Sequence, residues 1–303
     1  MYDENSKGLS YMSGFFMLIA FAVAGLVFSS LLSKPIWEAM TGEKFEVFIK
    51  GVVKPSYANA YKVIQSITAI FSCLLPAILT AFLLNRKPLR LLGFSPQVKP
   101  NQVGLTILII LVALFISTSL AYFNQSLPIP ADWKIEFEKM ESNYMQRVEG
   151  IISLKSSTDF IIALFVMAFL PALCEETLFR GGLQNFLTRG TGKFWLSIII
   201  VSLIFSAVHW SFYGFLSRFF LGMTLGLIYQ YSGKLWLSIL AHFVNNALAL
   251  SVLYYTTLEG KSMTEITREA NSNWWGIFIL PLFVGLVVYF RKISAPSTDQ
   301  SNT

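Results

Sequence analysis

Long apolar stretches restrict the fold of this chain more than any other feature of its sequence. A helix needs about 20 predominantly apolar residues to cross the hydrocarbon core of a bilayer. The backbone finds no water there, so a spanning segment of this length must be helical. About eight such stretches lie near 9–32, 61–84, 103–123, 160–187, 194–210, 215–231, 235–255 and 274–290. We therefore predict an all-α, polytopic integral membrane bundle with about eight transmembrane helices.

The overall composition supports this class of protein and argues against an ordinary soluble domain. Hydrophobic residues make up 54% of the 303 residues and charged residues only 13%, and the mean hydropathy is +0.59. The net charge is +6, but the bases lie in short loops between apolar stretches and not on one soluble face. This placement indicates membrane topology, and we expect no nucleic-acid partner.

The distribution of lysine and arginine predicts how the chain is oriented. Loop 85–102 carries four bases and no acid, whereas segment 132–141 mixes both signs of charge. Basic loops remain cytoplasmic in most membrane proteins. The loop bases on the side assigned to the cytoplasm are Arg86, Lys87, Arg90, Lys99, Arg189, Lys193, Lys234, Arg291 and Lys292. Both termini should then be cytoplasmic, as an even number of spans requires.

Three regions follow from this arrangement. Residues 1–158 comprise three N-terminal spans and an amphipathic segment, residues 159–290 hold the remaining spans, and 291–303 form a polar tail expected to be disordered. In segment 132–152, apolar side chains such as Trp133 and Phe137 recur at helical spacing between charges. This pattern predicts a helix lying on the outer membrane surface. It could serve as a lid over a membrane cavity or simply pack on the bundle.

The fourth apolar stretch carries three charged residues, which cost free energy to bury in a membrane and usually mark function there. Glu176 and Arg180 are four residues apart, so they share a helix face and should form an ion pair. Glu175 lies about 100° further round the helix and lacks such a partner. It is therefore a candidate general base. The alternative is a purely structural network of charges between helices.

The two histidines of the chain, His209 and His242, also lie in apolar stretches. His242 and Asn246 share one helix face, which suggests that this face lines a cavity. Asn245 should instead face another helix. Straight helices rising about 1.5 Å per residue would place the two histidines roughly 15 Å apart in depth. A common site therefore requires that the fifth span begin outside the bilayer core or that its predicted boundaries be wrong.

These polar groups are typical of a hydrolase. A glutamate and one histidine can activate water, while a second histidine and an asparagine donate hydrogen bonds to an oxyanion. One glutamate and two histidines could alternatively hold a divalent metal such as zinc, with an open position for water. The sequence does not separate the metal-bound mechanism from the metal-free one.

Three ordered motifs resemble those of the CPBP family, which comprises type II CaaX prenyl endopeptidases and bacteriocin-processing or Abi proteins. They are Glu175-Glu176-x-x-x-Arg180, Phe205-x-x-x-His209 and His242-x-x-x-Asn246, within residues 159–255. The resemblance implies a membrane-embedded, metalloendopeptidase-like hydrolase, and residues 159–290 would be its catalytic core. Its substrate would be a peptide or protein in or near the lipid membrane, with CaaX-type substrates as one candidate.

The resemblance also implies a role for each motif residue. Glu175 and His209 would activate water, and His242 and Asn246 would stabilise the oxyanion. Glu176 and Arg180 would support them. Within the family, both a zinc-type metal and a metal-free, glutamate-activated water remain open.

Two other functions fit the same polar residues. Intramembrane glutamate, histidine and arginine also build proton relays, so a proton-coupled transporter is one alternative. The absence of a clear internal repeat in the sequence counts against it. A non-catalytic protein that binds a membrane partner is the other alternative.

Overall fold

The structure, a computed structural model, describes residues 4–52, 54–151, 156–258 and 274–295. In these ranges the chain is helical, with no β-strand beyond one isolated bridge between Ser6 and Asn85. The helices are α1 (Tyr11–Thr41), α2 (Phe45–Ile49), α3 (Pro55–Leu84), α4 (Pro88–Leu91), α5 (Pro100–Gln125), α6 (Ala131–Ile151), α7 (Ser157–Thr191), α8 (Phe194–Ala207), α9 (Phe215–Ser232), α10 (Leu235–Leu258) and α11 (Trp275–Ser294). The predicted all-α fold is confirmed for these residues.

Six helices in the described part of the chain are long and apolar enough to cross a membrane: α1, α3, α5, α7, α10 and α11. All eight predicted stretches form helices, but α8 has only 14 residues and α9 does not meet the same criterion. The count of eight spans therefore stays a prediction. Large apolar side chains such as Phe16, Leu31 and Phe278 are 64%, 69% and 71% exposed, as expected where lipid replaces water. The chain is an integral, multi-pass membrane protein.

The basic loops meet at one end of the bundle, as the sequence predicts. The N-terminal residues pair with the end of α3, the loop after α4 contacts the start of α10, and the start of α5 contacts the end of α11. The contacts are Lys7 N to Leu84 O at 2.9 Å, Arg86 N to Asn5 O at 2.8 Å, Lys234 Nζ to Ser95 Oγ at 3.0 Å and Gln102 Nε2 to Ser294 Oγ at 3.0 Å. The cytoplasmic location of this end stays a prediction.

The predicted start of the disordered tail, at residue 291, is too early. Helix α11 continues to Ser294, so residues 291–294 are helical rather than part of a tail. Arg291 and Lys292 occupy the last turn, where positive charge stabilises the helix dipole. The remainder of the predicted tail, from 296 to 303, lies outside the described residues.

Two apolar clusters hold the helices together. One joins α1, α3, α7 and α8 around buried side chains such as Leu18 and Phe186. The other joins α5, α9, α10 and α11 around Ile109 and Ile228. A smaller cluster that includes Ala172 connects α7 to α9 and α10. The polar residues of α7 and α10 therefore lie at the junction between the two halves of the bundle.

Close helix contact sets the position of α9 in this junction. Gly222 faces α8, where an added Cβ would lie 3.1 Å from Ser202 Cβ and 3.3 Å from the Phe205 ring. Gly226 faces α7 and α8, where an added Cβ would lie 2.8 Å from Gln184 Oε1. This Gly-x-x-x-Gly face allows the α9 backbone to approach side chains of the neighbouring helices. Its carbonyl oxygens thereby become available to polar groups of α7.

A glycine in α1 provides a direct test of the packing between α1 and α3. An added Cβ at Gly25 would collide with the Phe71 carbonyl group and lie 3.3 Å from Ser72 Cα. Because backbone atoms cannot rotate away, we expect Gly25→Ala to lower the free energy of unfolding by about 1–3 kcal/mol. The measurement is reversible unfolding in mixed micelles.

Gly104→Ala is the matched control for this substitution. Gly104 lies in the interior of α5, and an added Cβ would meet nothing within 4 Å. Alanine there should be neutral or stabilise by up to about 1 kcal/mol, because it favours the helix. Equal effects of the two alanines would show that the close contact at Gly25 does not contribute to stability.

Candidate active site

The polar turn of α7 forms the buried base of the site. Arg180 Nη1 donates to Glu176 Oε1 at 2.7 Å, and the two side chains are 1% and 0% exposed. The ion pair predicted from their spacing is confirmed. Arg180 Nη2 also donates to the Gly222 carbonyl oxygen of α9 at 3.0 Å. Its guanidinium lies 4.7 Å from the centre of the Phe205 ring, so α8 also contributes to the enclosure.

The helix widens immediately after the two glutamates. Residues Thr177–Gln184 form a π-helical segment, and a second one covers Leu164–Phe169. Such segments are rare and often occur at functional sites. Gly181 allows this segment to pack closely on the residue that follows α4, because an added Cβ would lie 2.9 Å from the Leu92 carbonyl oxygen.

Glu176 also holds the histidine of α10. His242 Nδ1 lies 2.8 Å from Glu176 Oε1, and since a carboxylate accepts, the ring nitrogen donates. The opposite ring nitrogen, Nε2, lies 4.0 Å from Glu175 Oε2. Glu175 is 24% exposed, and its Oε2 has no hydrogen-bond partner in the described part of the protein. Glu176 Oε2 likewise has no hydrogen-bond partner among the described residues, but Glu176 is 0% exposed. Glu175 is therefore the more accessible of the two carboxylates, which agrees with its predicted role as the less encumbered one.

His209 lies in the turn that follows α8. Its Nδ1 donates to the Phe205 carbonyl oxygen at 2.7 Å, because a carbonyl can only accept. This bond leaves Nε2 of a neutral ring free to accept a proton. Trp210, with a φ of 52°, then turns the chain away from the helix direction.

The structure places both histidines close to the same phenylalanine ring. The Phe205 ring centre lies 5.0 Å from that of His209 and 5.9 Å from that of His242. The predicted depth difference between the histidines is therefore wrong. The fifth predicted span ends at Ala207 rather than at 210, and His209 belongs to the following turn.

Asn246 is one helical turn beyond His242 and makes a different set of contacts. Asn245 Nδ2 donates to Asn246 Oδ1 at 3.0 Å, which leaves the Asn246 amide group available as a donor. The prediction that Asn245 faces another helix stays a prediction, since this bond lies within α10. No hydrogen bond joins Asn246 to the glutamates or histidines among the described residues.

The loop that carries His209 is fixed by a residue that sequence reasoning missed. Asn124, near the end of α5, donates from Nδ2 to the Phe212 carbonyl oxygen at 2.9 Å. Its Oδ1 accepts from the Leu216 backbone nitrogen at 3.0 Å. The side chain is only 2% exposed. A buried amide at the end of an apolar stretch was the available signal, but its partners lie about 90 residues away.

The amphipathic segment also packs on this loop. Glu141 Oε2 of α6 accepts from Ser211 Oγ at 2.7 Å, and Phe137 stacks on Phe212 with ring centres 3.9 Å apart. The predicted helix is confirmed from Ala131 to Ile151, and position 152 lies outside the described residues. These contacts fit the interpretation of a helix packed on the bundle, directly over the His209 loop. Its location at the outer membrane surface stays a prediction.

The charges of α6 influence a tyrosine in the same loop. Burial raises the pKa of Tyr213, and the nearby Glu138 and Glu141 carboxylates raise it further. The phenol therefore stays neutral at physiological pH and remains a hydrogen-bond donor. Acidic groups of α6 thus lie close to the loop that positions His209.

The side chains of the site include potential metal ligands. Among the described residues, no group of three or more histidine, cysteine, aspartate or glutamate side chains is placed to hold a metal ion. Instead, Glu176 uses Oε1 for His242 and Arg180, and Glu175 stands 4.0 Å from His242. Two ligand atoms that are each about 2.0–2.2 Å from one zinc can be roughly 4 Å apart, so the separation of Glu175 and His242 alone does not decide between the alternatives. The metal-bound and the metal-free site both stay predictions.

The fold and the site together define a class of protein: a helical membrane protein with an ionised cluster enclosed between its spans. Residues 157–248 match the family described as "Type II CAAX prenyl endopeptidase Rce1-like". That match confirms, for this segment, the resemblance to CPBP-type proteases indicated by the three motifs.

A curated relative also aligns with only part of the chain. The chain is 36% identical over 100 residues to an Escherichia coli protein named "Uncharacterized 24.3 kDa protein". The alignment covers 32% of this chain and 46% of the relative, so the chain spans about half the length of the curated relative it matches. No solved structure matches the chain significantly.

Proposed function

We propose that the chain is an intramembrane endopeptidase that hydrolyses a peptide bond of a membrane-associated substrate, with CaaX-type peptides as one candidate. The observation that carries this proposal is the partly exposed Glu175 carboxylate, whose Oε2 has no hydrogen-bond partner among the described residues and lies 4.0 Å from His242 Nε2. It belongs to a cluster formed by α7, α8, α9 and α10. The family match of residues 157–248 supports the same class of reaction.

The proposed role of His242 requires a proton on both ring nitrogens. Two carboxylates, Glu175 and Glu176, lie beside this ring, and Arg180 is paired with Glu176. Glu176 accepts from Nδ1–H, so Nε2–H remains as a second donor. His242 can therefore donate to a developing oxyanion.

In the proposed reaction, a water molecule lies between Glu175 and His209. Glu175 Oε2 takes a proton from the water as its oxygen attacks the peptide carbonyl carbon, and His209 Nε2 accepts a hydrogen bond from the water. The resulting oxyanion receives hydrogen bonds from His242 Nε2–H and from the Asn246 amide. Glu175 then donates its proton to the leaving amine as the C–N bond breaks, which leaves a free carboxyl group and a free amine.

The remaining residues position these groups. Glu176 and Arg180 orient His242 through two short hydrogen bonds. Asn245 sets the direction of the Asn246 amide, and the Phe205 carbonyl oxygen orients His209. A buried, pre-oriented donor set can stabilise an oxyanion without reorganising, and each such donor contributes about 10²–10³ in rate.

The proposed mechanism uses only side chains of the chain. We expect cleavage to survive treatment with a divalent-metal chelator, since no group of three or more candidate ligands among the described residues is placed to hold a metal ion. Loss of activity on chelation and recovery with added zinc would show that these residues close around a metal during catalysis. A zinc requirement would then replace the metal-free mechanism.

The test is cleavage of a library of membrane peptides and prenylated CaaX peptides by the purified protein in lipid vesicles, with and without chelator. Site-specific cleavage, identified by mass spectrometry of both fragments, is the expected result. Proton-coupled flux in the same vesicles with no cleavage would favour the transporter. Peptide binding with neither flux nor turnover would favour a non-catalytic binding protein.

A further inference from the structure

A second arginine near the site lacks the partners that Arg180 has. Arg218 lies in the first turn of α9, and its Nη1 is inaccessible to solvent and without a hydrogen-bond partner. No carboxylate of the described residues forms an ion pair with it. The guanidinium lies over the Tyr144 ring of α6, 4.8 Å from its centre. Arg218 therefore presents an unused donor below α6.

The His209 loop confines this guanidinium on its other side. An added Cβ at Gly214 would lie 2.7 Å from Arg218 Cζ and would collide with Nη1. Only a glycine at this position leaves the guanidinium its place between the loop and α6. The Arg218 charge is also close enough to act electrostatically on His209. The free donor thus lies on the same side of the site as the proposed water-activating histidine.

Neither acid close to the site neutralises Arg218 through an ion pair: Glu141 accepts from Ser211, and Glu175 Oε2 lies 4.0 Å from His242 Nε2. A half-buried cation whose inaccessible Nη1 has no hydrogen-bond partner favours a ligand that brings an anion. The planar guanidinium has parallel N–H groups that match a carboxylate. The electrostatic influence of Arg218 on His209 favours a ligand that is part of the substrate bound at the site.

We propose that Arg218 is a specificity-determining residue that binds a carboxylate of the peptide substrate next to the cleaved bond. The carboxylate has two sources, the free C-terminus of the peptide or an aspartate or glutamate side chain. This inference rests on the proposed function. It adds a requirement for an acidic group that the Glu175, His209 and His242 cluster does not itself impose.

The test uses one peptide that the wild-type protein cleaves, prepared in four forms. The C-terminus is either the free acid or the amide, and acidic side chains near the cut are either kept or replaced by their amides. We expect one of the two replacements to lower kcat/KM of the wild type about 10- to 100-fold, mainly through KM, because a hydrogen bond to a charged group is lost. The replacement that matters identifies the source.

Variants connect this preference to Arg218. Arg218→Gln should lower kcat/KM for the acidic peptide by the same factor and make no further difference for the matching amide. Arg218→Lys retains the charge without the planar fork and should keep part of the preference. Arg291→Gln is the control, because Arg291 also lies over a tyrosine ring, at 5.6 Å from the centre of Tyr231, but on an exposed part of α11.

Each result separates the role of Arg218 from the proposed peptidase activity. Equal cleavage of all four peptides by the wild type, or an unchanged preference in Arg218→Gln, overturns the role of Arg218 and leaves the peptidase intact. Dependence on anionic lipid, equal for all four peptides and lost in Arg218→Gln, assigns the arginine to a lipid phosphate and also overturns it. Absence of any cleavage by the wild type removes the proposed function and this inference with it. If Arg218→Gln fails to fold, the wild-type comparison and Arg218→Lys still decide.

Discussion

Glu175→Gln is expected to reduce peptide cleavage by at least about 10²–10⁴-fold while the protein remains folded. The amide has nearly the same shape as the carboxylate but cannot take a proton from water. Its folding effect should be small because Glu175 Oε2 has no hydrogen-bond partner in the described structure and the side chain is 24% exposed. The measurement is kcat/KM on a cleaved library peptide, together with the unfolding midpoint.

Glu138→Gln supplies the control for this substitution. Glu138 on α6 makes an exposed contact with Lys134, at 3.9 Å with both side chains more than half exposed, and such pairs contribute little. The kcat/KM and the free energy of unfolding of Glu138→Gln should both remain within about a factor of two of the wild-type values, because an exposed ion pair contributes little. Residual full activity in Glu175→Gln would assign the general base elsewhere. Loss of folding in that variant would favour the purely structural interpretation of the charges.

Glu176→Ala is expected to act in the opposite way and to destabilise the fold. Removal of this carboxylate leaves Arg180 buried without its ion pair and His242 without its hydrogen bond. Breaking a buried ion pair by removing one partner costs about 3–5 kcal/mol. We therefore expect a lower unfolding midpoint, a reduced yield of folded protein and loss of cleavage. Reversible unfolding in mixed micelles and the yield after size-exclusion chromatography are the measurements.

A double variant separates the ion pair from its apolar surroundings. Glu176→Leu combined with Arg180→Met replaces both charges by side chains of similar size, and such replacements are often neutral or stabilising. The double variant should be more stable than either single variant and still inactive, since His242 loses its orienting carboxylate. Additive destabilisation by the two changes would contradict the buried ion pair. Glu175 is thus expected to affect turnover, whereas Glu176, its neighbour in sequence, is expected to affect folding.

The spacing of residues along the sequence was sufficient to predict the features that depend on a single helix. The apolar stretches predict helices because the length of a span and the satisfaction of its backbone are properties of a single segment. The Glu176–Arg180 pair follows from a separation of four residues on one helix. The charges of the loops predict which loops lie at the same end of the bundle, and the structure brings the basic loops together at one end. The motifs indicate the family for the same reason, because their residues keep order and spacing along the chain.

Contacts between helices could not be read from spacing. The bond between His242 and Glu176 joins residues 66 positions apart. It depends on how α7 and α10 rotate and cross, which periodicity within either helix does not determine. The depth of His209 was misjudged because α8 ends three residues before the predicted boundary and the histidine belongs to the turn.

The sequence by itself therefore determined the helical membrane class, the polar residues and the partner of Glu176 on its own helix. Only the tertiary structure decided that Glu176 also orients His242, that Asn124 holds the His209 loop, and that Arg218 lies unpaired beneath α6. The physical reason is that the positions of side chains around one helix follow from the geometry of that helix alone. Which face of another helix they meet is set by packing summed over the whole bundle.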